Sequence, residues 1–267
     1  MYICLVIPCL QNCLLTFSHL ICTHSSKSDT CKVCDSFKVK VDAKDDPTLK
    51  EQLTLEWTLH KIQAEVGYNS LKEDSAYAKC HNDTELLTFD LEKSLPTPVL
   101  STGIVYYKRQ LWTYNQGIHD CSTEQGCTHM WHEGIASRGS HEVGSCLLAH
   151  LKEMQTSATK LIVYSDACGG QNRNIFLVLL WLHVVSSDQY PFTTIDHKFM
   201  ISGHSYLPND RDFGHIELAR KKNNSIYVPD DWEKVVTGAR HRNPFKVRKM
   251  EQGDFVSLKD LKRAIVN

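Results

Sequence analysis

The 267-residue chain lacks the charge imbalance that marks many nucleic-acid-binding proteins. Its 30 Lys and Arg residues nearly balance its 31 Asp and Glu residues, so the formal net charge is −1 and no global basic field points to a nucleic-acid partner. The sequence also lacks internal repeats and low-complexity tracts. Its 42% hydrophobic and 23% charged residues exclude the disordered and fibrous classes. The length and the composition are those of one large globular domain, with or without an appendage.

A positively charged segment is also missing from the N-terminus, although residues 1–30 are strongly apolar. Pro8, Gln11 and Asn12 interrupt this stretch, so neither a signal peptide nor a membrane span fits it well, and we expect no membrane association. The chain has 11 cysteines, an odd number, and their spacing is irregular. This pattern predicts a reduced intracellular protein, nuclear or cytoplasmic, rather than a disulfide-built secreted one.

Basic residues are nevertheless concentrated in one part of the chain, between 218 and 249. This range holds nine Lys or Arg residues against three acids, an excess of +6, which could meet a phosphate backbone. A solvated surface explains the excess about as well. The nucleic-acid-binding candidates are Lys221, Lys222, Arg240 and Arg242 from this range, and Arg173 at the start of an earlier predicted helix.

One CxxC pair, Cys31 and Cys34, indicates a metal-binding segment. Zinc prefers four nitrogen or sulfur ligands, and a CxxC pair supplies two of them on one turn. Further Cys and His residues lie on both sides of the pair, none of them at zinc-finger spacing: His19, Cys22, His24, Cys80 and His81. A structural zinc site and free cysteines in a loosely ordered segment therefore both remain open.

Hydrophobic periodicity predicts an α/β fold behind an N-terminal extension. A long helix is expected to open at Asp45-Asp46-Pro47. Beyond it we expect strands and helices in the order β-β-β-α-β-α-β-α between residues 85 and 223, a mixed sheet flanked by helices. This is the order of the ribonuclease H-like fold. The predicted units are an extension of uncertain status over 1–30, a CxxC segment with the long helix over 31–82, and the sheet domain with its basic C-terminal segment over 83–267.

Five carboxylates fall where such a fold would gather them. Asp90 lies within an apolar strand, and a buried carboxylate needs a cation, a hydrogen-bond network or a metal. Asp166 follows a buried strand, and Glu142 stands in the first turn of the helix before it; Asp210 and Glu217 lie two turns apart on one face of the last helix. Together these oxygens would suit Mg²⁺ or Mn²⁺. Taken singly, each acid is better explained by a helix cap, a surface group or an ion pair.

Three strings carry a resemblance to a known family: FDLEKSLPTPVLSTGIVYYKRQLWTYNQGIHD, YSDACGGQNRN and GHSYLPNDRDFGHIE. They resemble an uncharacterised, transposon-derived domain family of animal genomes with a ribonuclease H-like core, over roughly residues 30–265. The resemblance implies a DDE-type nuclease or transposase with Asp90 as the first acid and Asp166 as the second. Likeness to mariner-type transposases favours Glu217 as the third acid, followed by Asp210.

Likeness to ribonuclease H itself implies two additional site residues. Glu142 resembles its extra helix carboxylate, and His204 resembles the loop histidine that lies near its metal ions. The leading hypothesis is therefore metal-dependent cleavage or strand transfer on DNA, with His204 in proton transfer or product release. Because the chain has no evident N-terminal helix-turn-helix, a catalytically inactive, domesticated module that binds nucleic acid or protein stays open. A ribonuclease acting on RNA–DNA hybrids is the third alternative.

Overall fold

The computed structural model describes residues 30–100, 102–103, 107–223 and 225–259. The apolar extension predicted over 1–30 lies almost entirely outside these residues, as do His19, Cys22 and His24. The strands are β1 Thr84–Leu91, β2 Leu95–Thr97, β3 Leu111–Asp120, β4 Gln125–His132, β5 Lys160–Ser165, β6 Thr194–Phe199 and β7 Lys246–Lys249. The helices are α1 Lys32–Asp42, α2 Pro47–Cys80, α3 Ser140–Glu153, α4 Ile175–Ser186, α5 Pro208–Lys222 and α6 Asp230–Thr237, and a 3₁₀ turn spans Gln252–Asp254.

All seven strands join one mixed sheet, in the order β6-β5-β1-β3-β4-β7, with β2 paired to β3. In the middle of the sheet β3 runs antiparallel to both β1 and β4. On one side β5 runs parallel to β1 and β6 parallel to β5, and at the other edge β7 runs parallel to β4. The predicted α/β class with a mixed sheet is therefore confirmed, while β2, α6 and β7 were not predicted.

Successive side chains of β1 point alternately to two helical layers, one on each face of the sheet. Phe89 faces the layer of α3 and α4, where it shares an apolar core with Val143, Leu180 and Val163. Its neighbours in sequence, including Asp90, face the other layer. Asp90 therefore lies on the side of the sheet that α2 and α5 cover.

Helix α2 begins as its Asp-Pro start predicts, because Asp46 Oδ1 accepts the backbone N–H of Thr48 at 3.0 Å. Its C-terminal half packs on the sheet, where Leu71 and Ala78 meet the buried ring of Tyr164. None of the described helices, this one included, has the length and apolarity to cross a bilayer.

Two parts of the fold differ from the sequence predictions. The CxxC segment forms a helix of its own, α1, which ends at Asp42 before Pro47 opens the predicted long helix α2. The alternating pattern of GIVYYKRQLWTYNQGIHD predicts one strand over 103–120, but β3 begins only at Leu111, the residue that pairs with Thr97 of β2. Both differences lie away from the acidic residues.

Candidate functional site

The register of the sheet places Asp90 and Asp166 side by side. Thr88 of β1 is paired with Tyr164 of β5 in parallel register, and two further residues along each chain lead to the two aspartates. Because side chains alternate, both aspartates point to the same face as Thr88. Neighbouring strands lie about 4.8 Å apart, so the two carboxylates meet at the carboxyl ends of β1 and β5.

The charge environment of Asp90 reflects this neighbour. Burial, together with the negative charges of Asp166 and Asp210, raises the pKa of Asp90 to about 7. The backbone N–H of Leu91, which donates to Oδ1 at 2.8 Å, and the charge of Arg138 act in the opposite direction. Near neutral pH a bound proton or a nearby cation therefore stabilises the carboxyl group of Asp90.

Asp166 is oriented by the glycine-rich loop that follows β5. The side-chain amide of Asn172, 2% exposed, donates to Asp166 Oδ1, and so does the backbone N–H of Cys168 at 3.3 Å. A Cβ atom placed on Gly169 or Gly170 would meet nothing within 4 Å. The loop thus fixes one oxygen of the aspartate and leaves open space next to its turn.

Helix α5 brings Asp210, rather than Glu217, to Asp90. Asp210 lies in the first turn, where its Oδ2 accepts the backbone N–H of Leu207 at 2.9 Å. Burial alone would raise the pKa of Glu217, but a hydrogen bond from Lys93 and the charge of Arg220 lower it. These cations lie 3.2 and 2.8 Å from the two carboxylate oxygens of Glu217. The acid favoured as the third ligand is therefore held in ion pairs, and Asp210 is the acid coupled to Asp90.

Glu92 is an additional acid that the sequence interpretation missed. Its side chain is 4% exposed and accepts a hydrogen bond from Asn115 Nδ2 at 2.9 Å. Burial, together with the charges of Glu217 and Asp90, raises the pKa of Glu92 to about 7. The spacing of two residues from Asp90 was the available signal, because it puts both acids on one face of the strand.

Glu142 is committed to the start of its own helix. Its Oε2 accepts the backbone N–H of Gly139 at 2.9 Å, and its Oε1 accepts the hydroxyl of Ser137 at 2.7 Å. Helix α3 packs on the layer opposite to α5, through residues such as Val143. The structure therefore supports the helix-cap alternative for Glu142.

His204 lies in a second cluster, together with Cys31, Cys34 and His60. The ligand atoms of these four residues all lie within 4.8 Å of one another. Cys31 Sγ is 3.3 Å from His60 Nε2, and Cys34 Sγ is 3.3 Å from His204 Nε2. The described residues therefore contain a Cys₂His₂ group that could bind a metal ion such as zinc. This geometry favours a ligand role for His204 over the predicted role beside the acids.

The other zinc candidates within the described residues lie apart from this cluster. Cys80 is exposed, and the ring of His81 stacks on Tyr77 with centroids 3.8 Å apart. His60 was not predicted as a ligand. Nothing in its local pattern marks it, since only the packing of α1 against α2 brings it to the CxxC pair.

The predicted nucleic-acid-binding residues differ in their surroundings. Arg240 is engaged in an ion pair, with its guanidinium 3.0 Å from the buried carboxylate of Asp212. Arg242 and the pair Lys221 and Lys222 are exposed. Arg173 is exposed as well, at the end of the glycine-rich loop and with its guanidinium 5.8 Å from the ring centroid of Phe199.

A scan of protein-family models, a search of curated proteins and a search of solved structures each returned no match for this chain. Function is therefore inferred from the site geometry and the sequence resemblance alone.

Proposed function

We propose that this chain is a transposase-derived, metal-dependent nuclease or strand transferase that acts on DNA phosphodiesters. The observation that carries the proposal is the meeting of Asp90 and Asp166 at the ends of adjacent parallel strands, with Asp210 close enough to alter the charge state of Asp90. Asp90 and Asp166 are half-buried and Asp210 is exposed, and like charges held this close together are costly unless a cation accompanies them.

The strand order supports a ribonuclease H-like arrangement. Three antiparallel strands in the order β4-β3-β1 continue into the parallel strands β5 and β6. This is the arrangement that the predicted element order implies, with β2 and β7 as additions. The acids occupy the central strand and its parallel neighbour, and ligands of such sheets gather at the carboxyl ends of strands.

The donor set fits Mg²⁺ or Mn²⁺. Asp90, Asp166 and Asp210 offer hard carboxylate oxygens, which these ions prefer. We assign to Asp210 the ligand position first predicted for Glu217, since Lys93 and Arg220 already neutralise Glu217. When bound, such ions activate a water or hydroxyl nucleophile and stabilise the leaving oxygen of a phosphodiester.

The chain's own residues supply orientation and charge around this point. Asn172 and the N–H of Cys168 hold one oxygen of Asp166 in place. The charge of Arg138 acts on Asp90, so its exposed guanidinium is positioned to attract a substrate phosphate. Lys221 and Lys222 lie about 18 Å along α5 from Asp210, a distance suited to contacting the DNA backbone away from the cleavage point.

One observation favours a second function, nucleic-acid or protein binding without catalysis. The ion pairs of Glu217 with Lys93 and Arg220 leave only one acid of α5 coupled to Asp90. If the reaction requires both acids, the fold would persist as a binding module.

The test is cleavage by the purified full chain of duplex DNA, single-stranded DNA, RNA and an RNA–DNA hybrid, with Mg²⁺ or Mn²⁺. We expect metal-dependent DNA cleavage that falls at least about 100-fold in Asp90→Asn and Asp166→Asn, since loss of a ligand should cost no less than loss of a residue that orients one. Asp188→Asn, which alters an exposed acid, is the matched control.

Three outcomes separate the alternatives. Cleavage of the hybrid in preference to DNA would assign the ribonuclease function. DNA binding without cleavage under either metal would assign the binding module. Cleavage that survives both aspartate substitutions would contradict the proposed site.

A further inference from the structure

We infer that Cys31, Cys34, His60 and His204 bind one structural Zn²⁺ ion, and that this ion anchors the loop leading into α5. The site is separate from the acidic residues, and the inference does not depend on the proposed catalytic function. It joins three distant parts of the chain: the start of α1, the middle of α2 and the loop after β6.

The geometry is that of a compact tetrahedral site. In such a site the ligand atoms lie roughly 3.3–3.8 Å apart, since Zn–N and Zn–S bonds are about 2.0–2.3 Å long. The two Cys–His contacts, both 3.3 Å, have this length, and no pair among the four ligand atoms exceeds 4.8 Å. Two thiolates and two imidazoles are soft and borderline ligands, which select zinc over the Mg²⁺ or Mn²⁺ of the acidic site.

The two histidines lie close together at the cluster. The rings of His60 and His204 meet edge to face with centroids 5.2 Å apart. Cys31 is 5% exposed, so the site has a buried side as well as an accessible one.

The backbone of the 201–207 loop is adapted to this close approach. Gly203 has a φ of +79°, and a Cβ at this position would lie 2.7 Å from Cys31 Cα. Cys31 Sγ also lies 3.5 Å from the carbonyl oxygen of Ser202. The loop therefore sits directly against the CxxC turn, and only a residue without a side chain fits between them.

The same loop connects the metal site directly to the first turn of α5. Leu207, the residue before the helix, is buried together with Leu71 of α2, and its N–H is bonded to Asp210. A zinc ion bound by His204 thus joins the loop to α1 and α2, while the contacts of Leu207 hold the end of the loop next to α5. Metal loss should release the loop and the first turn of α5 before the sheet itself unfolds.

Zinc content and cobalt spectroscopy of the full chain test this inference. We expect about one tightly held zinc per chain, and Co²⁺ replacement should give the intense visible bands and thiolate charge-transfer absorption of a four-coordinate N₂S₂ site. Cys34→Ser and His60→Gln should each lower zinc content about tenfold. Cys80→Ser and His215→Gln, which alter exposed residues of the same types, should leave it unchanged.

One further measurement on the wild-type chain covers the case in which the variants fail to fold. Chelation of the folded wild-type chain should speed hydrogen exchange of residues 201–207 while leaving β1 protected, and zinc should reverse the change. A wild-type chain that holds no zinc and gives an octahedral, weakly absorbing cobalt spectrum would overturn the inference. Zinc that stays bound in the Cys34 and His60 variants would overturn the ligand assignment.

Discussion

At the scale of single residues, the charge environment of Asp90, rather than its position in a strand, identifies the site. Its carboxyl group is placed by an ordinary strand, and its neighbours Leu87 and Phe89 are ordinary core residues. What distinguishes it is a pKa raised to about 7 by burial and by the charges of Asp166 and Asp210. Such a shift marks a position where folding keeps a like-charge cluster that only a cation or a proton relieves.

This shift predicts a pH dependence of stability. A carboxyl group whose folded pKa exceeds its unfolded value of about 4 favours the folded state at low pH, and this contribution is lost as the pH rises from about 4 through about 7. In EDTA, Asp90→Asn should therefore raise the free energy of unfolding at pH 8 by roughly 1–4 kcal/mol and have little effect near pH 4. Urea denaturation at both pH values measures this, with Asp188→Asn as the control. A substitution that destabilises the chain at pH 8 would contradict the assigned charge state.

Arg240 and Arg242 form a second residue-scale comparison, because both are phosphate-contact candidates from the sequence. Arg240 neutralises the buried Asp212, which also lies 2.6 Å from His119 Nδ1. Arg240→Ala should cost about 3–5 kcal/mol of stability, since it removes the permanently charged partner of a buried carboxylate and leaves it only the contact with His119. Arg242→Ala should change stability by less than about 0.5 kcal/mol. Equal thermal stability of the two variants would contradict the structural role assigned to Arg240.

At the scale of elements, the approach of α5 to β3 decides which of its acids reaches the site. Gly117, opposite Asp90 in the sheet, has no side chain, and a Cβ there would lie 2.8 Å from the ring of Phe213 and 3.2 Å from Asn209 Nδ2. Asn209 itself accepts a hydrogen bond from Thr88 at 2.6 Å. These contacts set the rotation of the helix.

Gly117→Ala is therefore expected to displace α5 from the sheet. Overpacking of this kind costs about 1–3 kcal/mol, and nuclease activity should fall more than stability alone explains, because Asp210 moves with the helix. Gly170→Ala, where the added Cβ would meet nothing within 4 Å, should leave the melting temperature unchanged. Wild-type activity in a folded Gly117→Ala protein would show that the position of α5 is not critical.

The same elements show which parts of the site could be predicted from the sequence. Apolar runs predict β1 and β5, and the element order predicts that the two strands are neighbours, so the pairing of Asp90 with Asp166 follows from the sequence. The choice between Asp210 and Glu217 depends on the contact of Phe213 with Gly117, and the role of His60 depends on α1 packing against α2. Such contacts join residues far apart in the chain, so local periodicity does not predict them.

At the scale of the whole molecule, near-zero net charge requires that any DNA contact be local. The exposed cations Lys221 and Lys222 lie at the C-terminal end of α5, beyond the acidic site. Much of the remaining basic range forms ion pairs, including Arg248 with Asp254 at 3.0 Å and Lys249 with Asp230 at 2.5 Å. The excess of +6 counted along the sequence therefore overstates the charge that is free to meet phosphate.

Removing both lysines should change the salt dependence of DNA binding. If each contacts a phosphate, Lys221→Gln with Lys222→Gln should reduce the slope of log K against log salt concentration by about 1.8. Lys72→Gln, an exposed lysine of α2, should leave the slope unchanged. Fluorescence anisotropy across a salt series measures this, and an unaltered slope in the double variant would place the DNA elsewhere.

The most direct test of the acidic metal site is anomalous scattering from crystals of the full chain soaked in Mn²⁺. We predict a manganese peak within about 2.0–2.5 Å of carboxylate oxygens of both Asp90 and Asp166, lost in Asp90→Asn. Well-ordered carboxylates at these two positions without a manganese peak between them, at a Mn²⁺ concentration that supports cleavage, would contradict the proposed site.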